Sequence, residues 1–508
     1  MNLRFELAAA FSPVIRFHPA PGAAHSRSAL EWRSALHPGI ISLMTRKYDA
    51  IVVGGGQAGP ALAARFAGAG KSVAIIERHL FGGTCVNAGC TPTKTLIASA
   101  RIAYDARRAH DYGIELPPAG VSVDMRAVQA RKKRVVDASK TALENWIRGL
   151  QNCTVYNGHA RFESAQSVSV DGQVLTSDQI FINVGGRPRI PAFPGIDTVP
   201  FLTSTSLLEL EELPAHLVII GGSYVGLEFA QMYRRFGSKV TVIEQQPRLL
   251  SHEDPEVCGA IQSALEAEGI EVRLEAECIQ LAHRAEAVTA NVNCSAGSPQ
   301  ITGSHALIAV GRTPNTDDLG LEKAGVETDH AGFIKVDDEL RTNVSGIWAL
   351  GDCNGKGAFT HTAYNDFEIV AANLFDGKPR RRVSDRIPCY ALFVDPPLGR
   401  VGLTERDALA QGHTIRVGSR PMTRVARAAE KGETRGLMKV VVDARSNLVL
   451  GASILGVGAD EAIHSIIDIM AARVPYTTLK NTVHIHPTVS ELIPTVLGEL
   501  GPTTSKSA

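Results

Sequence analysis

The most constraining feature of the chain is a strand, glycine turn, helix and strand unit that occurs twice. In the first copy the apolar run Ile51-Val52-Val53 leads into Gly54-Gly55-Gly56-Gln57-Ala58-Gly59, then a helical stretch from Pro60 to Ala69. A second run, Val73 to Ile76, follows and ends on Glu77. In the second copy Leu217 to Ile220 leads into Gly221-Gly222-Ser223-Tyr224-Val225-Gly226, helical Leu227 to Phe236, and Lys239 to Ile243 ending on Glu244. The acid falls 23 positions after the first glycine both times, from 54 to 77 and from 221 to 244. This is the pattern of a dinucleotide-binding turn. Gly54 and Gly221 make the tight turn, Gly56 lets the backbone approach a pyrophosphate, and Gly59 and Gly226 bring helix onto strand. The helix N-terminus faces the phosphates, and each acid accepts hydrogen bonds from a ribose diol. A glycine turn of purely structural use would not need strand, helix and acid in this order. Ser223 takes the place of the middle glycine and slightly weakens the second copy, because its Cβ sits near the pyrophosphate. The repeat implies two bound dinucleotides, or one and a relic. Glu244 favours a 2′-hydroxyl over a 2′-phosphate. Arg248 softens that, and NADH is favoured over NADPH.

Between the copies lies Gly82-Gly83-Thr84-Cys85-Val86-Asn87-Ala88-Gly89-Cys90-Thr91-Pro92-Thr93-Lys94. Five residues of regular helix rise about 7.5 Å, too far for an easy disulfide between Cys85 and Cys90. The glycines before and between them let the backbone distort enough to close one. A distorted, accessible disulfide beside a cofactor opens and recloses. Pro92 suits a sharp turn or the start of a helix, and Lys94 is close enough in sequence to join the same site.

Composition narrows the remaining classes. With 52 basic and 52 acidic residues the 508-residue chain is formally neutral, so charge gives no reason to expect nucleic acid or a charged membrane as partner. No apolar stretch approaches the roughly 20 residues that cross a bilayer. Of the eight cysteines six are scattered singly, which suits a reducing compartment with one working pair and hence a cytoplasmic protein. Residues 1–43 mix Arg, His, Pro and Ala without period. They are expected to be a disordered extension or a start assigned too early, with Met44 the initiator. A targeting peptide is disfavoured by Glu6, Glu31 and the missing apolar segment.

Taken together, these motifs resemble the class I pyridine nucleotide–disulfide oxidoreductases, FAD flavoproteins that include lipoamide dehydrogenase, glutathione reductase and mercuric reductase. The resemblance runs from Tyr48 to about Leu497 and adds two further motifs in the family's order. These are Gly346-Ile347-Trp348-Ala349-Leu350-Gly351-Asp352 and His486-Pro487-Thr488-Val489-Ser490-Glu491. The segments from Phe181 to Pro188 and from Ile308 to Asn315 look like the family's two domain crossovers, with Asn183 and Gly186 as departures from it.

The resemblance implies roles for individual residues. Gly54, Gly56, Gly59, Glu77, Gly83, Thr84 and Asp352 hold FAD, with Asp352 on its ribityl chain. Gly221, Ser223, Gly226, Glu244 and Gly311 hold the nicotinamide dinucleotide. Cys90 is the sulfur next to the flavin and Cys85 the interchange thiol. Lys94 lies near flavin N5 with Glu228 as its buried partner. Tyr224 gates the nicotinamide pocket, with plain packing as its other reading. His486 is the acid–base catalyst, oriented by Glu491, and acts on the disulfide of the other subunit of a homodimer. On its own such a histidine would be read as a core residue; the motif around it reverses that, and His484 is left as structural.

The expected fold class is α/β: two Rossmann-like dinucleotide-binding domains, for FAD and NAD, plus a C-terminal α+β dimerisation domain. The FAD domain spans 45–190 and resumes at 313–385. The NAD(P) domain spans 191–312 and the dimerisation domain 386–500, with 501–508 a disordered tail. The expected activity is an FAD-dependent NAD(P)H oxidoreductase passing electrons through Cys85–Cys90 to a small disulfide, metal-ion or oxidant acceptor. Thr93-Lys94, the Pro396-Pro397-Leu398-Gly399-Arg400 run and the Val425-Ala426-Arg427-Ala428 stretch resemble a mercuric reductase-like subgroup. The tail has no vicinal cysteine pair for Hg(II), so dihydrolipoamide dehydrogenase is the second reading. No resident metal is expected. A non-catalytic flavin-binding redox sensor ranks lower, because it would need none of Cys85, Cys90, Lys94, Glu228, His486 and Glu491. A membrane-associated NADH oxidase lacks an anchor.

Overall fold

In the computed structural model each fingerprint strand lies at the centre of its own five-stranded parallel sheet. The structure describes residues 45–117, 120–284, 287–293, 299–377 and 379–502. The expectations for residues 1–43 and 503–508 lie outside these.

The first sheet runs, from one edge to the other, Ile347–Ala349, Ile180–Ile182, Ala50–Val53, Val73–Glu77 and Cys153–Asn157. The second runs Phe201–Thr203, His305–Ile308, His216–Ile220, Lys239–Ile243 and Glu271–Arg273. In both, the fingerprint strand pairs on one side with the strand that ends on the acid and on the other with a strand supplied from much later in the chain. Parallel sheets are covered on both faces and therefore read as continuous apolar runs. Ala50–Val53 is buried at every position accordingly. Phe66, Phe181 and Trp348 fill one face of the first sheet, Phe181 stacking on Trp348 with ring centroids 4.9 Å apart. Each fully buried aromatic or aliphatic side chain contributes about 1.5–3 kcal/mol.

The helix after the first turn, α1, is Ala58–Gly68. The cysteine run forms two helices, α2 at Gly83–Ala88 and α3 at Cys90–Arg107. The helix of the second fingerprint, α4, is Tyr224–Phe236 and begins three residues earlier than the apolar pattern suggests, inside the glycine turn itself. A later helix, α5, is Thr360–Ala371. The two crossover segments meet: Gly186–Pro188 pairs antiparallel with Arg312–Pro314, so the chain leaves and re-enters the first sheet through one short ladder.

The C-terminal part is built on a six-stranded antiparallel sheet, and the strands Leu437–Asp443 and Val449–Leu455 lie at its centre. Two short helices, Ala459–Ala462 and His464–Ala471, follow these strands and meet at Ile463. One expectation is corrected. Gly501–Pro502 do not belong to a disordered tail; they pair with Arg416 and Val417 on the free edge of that sheet. Among the described residues no helix is long and apolar enough to cross a membrane.

Candidate functional site

The two fingerprints carry the same latch. The Gly55 N–H donates to Glu77 Oε2 at 2.7 Å and the His79 N–H to Oε1 at 2.7 Å. In the second copy the Gly222 N–H donates to Glu244 Oε2 at 2.6 Å and the Gln246 N–H to Oε1 at 2.8 Å. Each acid is therefore aimed by backbone. The first and third glycines are compulsory for steric reasons. A Cβ on Gly54 would lie 2.2 Å from the Asn183 carbonyl oxygen and one on Gly221 2.4 Å from that of Ala309. A Cβ on Gly59 or Gly226 would lie 2.2 or 2.0 Å from the oxygen of the turn's own first glycine. Gly56 is less crowded, its nearest neighbour being Asn183 Nδ2 at 3.3 Å, and this is the position where the second copy carries Ser223.

A cavity of about 970 Å³ opens beside the first turn, lined among others by Gly54, Gly56, Glu77, Gly83, Thr84 and Asp352. Cys85, Cys90, Lys94, Tyr224 and Glu228 line the same cavity. A second, of about 430 Å³, is lined by Gly221, Ser223, Glu244, Arg248 and Gly311. Gly59 and Gly226 line neither; they seat the helices.

The first cavity has the unspent polar groups a flavin dinucleotide requires. Asn87 Oδ1 and Arg312 Nε lie buried in its wall without a hydrogen-bond partner among the described residues. Burial pushes the Asp352 carboxyl above its ordinary value, against the nearby Arg312 guanidinium, whose Nε is 3.6 Å away. Close backbone approach is also built in, since a Cβ on Gly83 would lie 3.0 Å from Gly56 Cα.

Gly89 breaks the cysteine run. Its backbone (φ −145°, ψ −115°) ends α2, and α3 restarts at Cys90. The Asn87 amide ties the loop by donating to the Phe81 and Gly83 carbonyls, both at 2.9 Å. Cys85 and Cys90 are unbridged in this structure, and their side chains hydrogen-bond each other. That bond divides the two thiols. Cys90 is lowered to about 6, first by the Cys85 thiol and then by Thr360 and Lys94, against desolvation and Glu228. Cys85, as donor to that anion and half-buried, is driven well above the usual thiol range. This environment favours the anion on Cys90 over Cys85.

Lys94, one turn into α3, bonds both oxygens of Glu228 on α4 at 2.9 and 2.7 Å and lies over the Phe393 ring at 4.7 Å. Glu228 is 5 % exposed and also accepts from the Phe393 N–H at 3.1 Å. The Tyr224 ring packs against Phe359 with centroids 5.6 Å apart.

His486 and Glu491 are brought together, Nδ1 to Oε2 at 2.8 Å, but they do not line the cavity that holds the thiols. The His486 side chain is 73 % exposed, and Val483 and Ile485 beside it are 95 % and 80 % exposed. His484 bonds the Thr482 carbonyl.

Several residues of the site went unnoticed in the sequence. Asn183, singled out there only as a departure, donates from Nδ2 to the Gly54 carbonyl at 3.2 Å. Arg312 follows Gly311 directly, and that adjacency was the available signal. Thr360, Phe359 and Tyr390 reach the cavity from remote segments and carry no local signature.

Residues 48–366 match the model of the family described as pyridine nucleotide-disulphide oxidoreductase, and residues 389–497 that family's dimerisation domain. The chain is 37 % identical over 454 residues to the probable pyridine nucleotide-disulfide oxidoreductase RclA of Escherichia coli, covering 88 % of this chain and 97 % of that one. It is 33 % identical over 450 residues to the dihydrolipoyl dehydrogenase of Thermus scotoductus (88 % and 96 % covered). It is also 33 % identical over 452 residues to the mercuric reductase of Streptomyces lividans (88 % and 94 % covered). The solved Cu(II) complex of the HOCl-induced flavoprotein disulfide reductase RclA from Escherichia coli superposes with a TM-score of 0.81 at 35 % identity, covering 89 % of this chain and 99 % of that one.

Proposed function

The chain belongs to the pyridine nucleotide-disulphide oxidoreductase family, a family of FAD-dependent enzymes that use a pyridine nucleotide, and from that premise we propose that it passes electrons from NADH through Cys85–Cys90 to an oxidant or metal-ion acceptor. The observation that carries this reading is the placement of Cys85 and Cys90, with the Lys94–Glu228 ion pair beside them, inside the cavity that fits the flavin.

Gly54, Gly56, Glu77, Gly83, Thr84 and Asp352 would hold FAD, which supplies two-electron transfer between nicotinamide and thiols when bound. The chain's own residues do the rest. Glu244, latched by Gly222, offers a carboxylate to a ribose diol and disfavours a 2′-phosphate, which supports NADH. Lys94 keeps a positive charge beside the thiolate, and Glu228 holds its ammonium in place. Cys85 gives up its proton to a base and its sulfur attacks the acceptor. With a disulfide acceptor one thiol leaves, Cys90 then closes on Cys85, and the second thiol leaves. His486 moves those protons, with Glu491 fixing the ring. Its place on an exposed apolar ridge supports a homodimer in which the partner subunit's His486 serves this chain's thiols. The other cysteines described as free, Cys153, Cys258, Cys353 and Cys389, fit a reducing compartment such as the cytoplasm.

The similarity to RclA, an HOCl-induced flavoprotein disulfide reductase solved as a Cu(II) complex, supports the acceptor class. Dihydrolipoamide dehydrogenase is the second reading, supported by the His486–Glu491 pair, which suits disulfide–thiol exchange. The test is NADH oxidation by the FAD-loaded protein with lipoamide, thiol-bound Hg(II) and Cu(II) in parallel, beside Cys90→Ser. Metal-ion reduction that needs Cys90, with negligible lipoamide turnover, is the expected result. Fast lipoamide turnover lost in the variant would replace this reading by the second one.

A further inference from the structure

Thr360 is the first residue of α5, and its hydroxyl lies 3.3 Å from Cys90 Sγ. It also bears on the Cys85 thiol. Among the described residues Cys90 Sγ is the hydrogen-bond partner of that hydroxyl. Two helix N-termini meet at Cys90: it opens the 18-residue α3, and Thr360 opens the 12-residue α5. Both helices present positive dipole ends to the sulfur, an arrangement that favours a thiolate.

The turn that carries Thr360 is fixed from several sides. The Phe359 ring stacks between His361 and Tyr390, with centroids 5.3 and 5.6 Å away and planes tilted by 9° and 5°. His361 Nε2 donates to the Cys389 carbonyl at 2.8 Å, and the Phe359 N–H donates to Thr362 Oγ1 at 3.1 Å. The Tyr390 hydroxyl bonds Glu253, a buried carboxylate 3.1 Å from the buried Arg400 guanidinium. A side chain held this rigidly directs its hydroxyl without further ordering cost.

We propose that Thr360 is a positioning residue of the redox centre: its hydroxyl donates to the Cys90 sulfur and, together with the Cys85 thiol, keeps the anion of the reduced pair on Cys90. This rests on the reading of Cys85 and Cys90 as the working pair. The titratable groups that face Cys90 are Cys85 on α2, Lys94 on α3, and Glu228 and Tyr224 on α4. Lys94 and Cys85 favour the anion, and Glu228 opposes it. Thr360 adds a donor that no proton equilibrium near neutral pH removes. Cys85 is thereby left as the thiol free to exchange with the acceptor.

The experiment is a pH titration of the long-wavelength thiolate–flavin absorbance of the reduced, FAD-loaded protein, for wild type, Thr360→Val, Thr360→Ser and Cys90→Ser. Thr360→Val keeps the shape and removes the donor; Thr360→Ser keeps the donor. The expected result is a midpoint raised by about one pH unit in Thr360→Val, the size of a lost hydrogen bond to a charged group. Thr360→Ser should stay near wild type, with FAD content unchanged in both. An unmoved midpoint in Thr360→Val, or an equal shift in both Thr360 variants, would overturn the proposal. A wild-type titration that Cys90→Ser leaves intact would instead overturn the working pair itself, and this inference with it.

Discussion

Replacing Lys94 by Met should expose how the Lys94–Glu228 pair is held. The ammonium bonds both carboxylate oxygens at 2.9 and 2.7 Å, and Glu228 is 5 % exposed. Removing one partner of such a pair leaves a buried, uncompensated charge and costs about 3–5 kcal/mol. The carboxyl has one escape, which is to take up a proton. At pH 7 that costs about 3.7 kcal/mol for a carboxyl of ordinary acidity, and at pH 5 only about 1 kcal/mol. The penalty is therefore capped near 3–4 kcal/mol at pH 7 and shrinks towards 1 kcal/mol as pH falls to 5. Glu228→Gln retains an oxygen for the Phe393 N–H, which now donates at 3.1 Å, and removes the charge. The double variant Lys94→Met/Glu228→Gln should recover most of the loss. The assay is guanidinium unfolding of the four FAD-saturated proteins at pH 5 and pH 7, read as a double-mutant cycle. A Lys94→Met penalty equal at both pH values, or single-variant losses that simply add, would refute a buried charge pair as the cause.

Three further outcomes follow from the same geometry. Cys85→Ala removes the largest contribution holding Cys90 near 6, so the midpoint of the thiolate absorbance should rise by about one pH unit or more; no shift would mean the thiols do not share the proton. Gly226→Ala places a Cβ 2.0 Å from the Gly221 carbonyl and should abolish NADH turnover with FAD content retained, whereas Gly56→Ala, 3.3 Å from Asn183 Nδ2, should still fold and bind FAD; bound flavin and NADH kinetics check both. Lys439, 2 % exposed among Asp254, Glu256 and Glu405, has its ammonium held above the ordinary lysine range against the cost of burial, chiefly by Glu256 and Glu405. Its contribution is complete below about pH 10.5 and is lost as pH climbs through the raised value, so the melting temperature of wild type should fall there and that of Lys439→Met should not.

Much of this was written locally in the chain. A glycine turn between two apolar runs is a constraint within 25 residues or so, and both copies fold as their spacing predicts, each at the centre of a parallel sheet. The Cys85 to Lys94 run and the His486–Glu491 pair are equally local. Contacts made only by the tertiary fold were not legible. Thr360 lies 270 positions from Cys90, and nothing in the residues around it points to a sulfur. Asn183 was visible only as an oddity, because its bond to the Gly54 carbonyl depends on two strands lying side by side. Gly501–Pro502 were misjudged for a related reason: their order comes from the free edge of the strand that carries Val417, not from their own composition.

On the proposed role of His486, which sits on an exposed ridge, the working centre is shared property. In a two-fold dimer each centre takes its thiols from one chain and its proton carrier from the other. A chain lacking Cys90 and a chain lacking His486 would each be inert alone. Mixed together, their heterodimers would hold one doubly damaged centre and one intact one. Random re-pairing of equal amounts would restore about a quarter of the full complement of sites, so that two dead proteins revive each other.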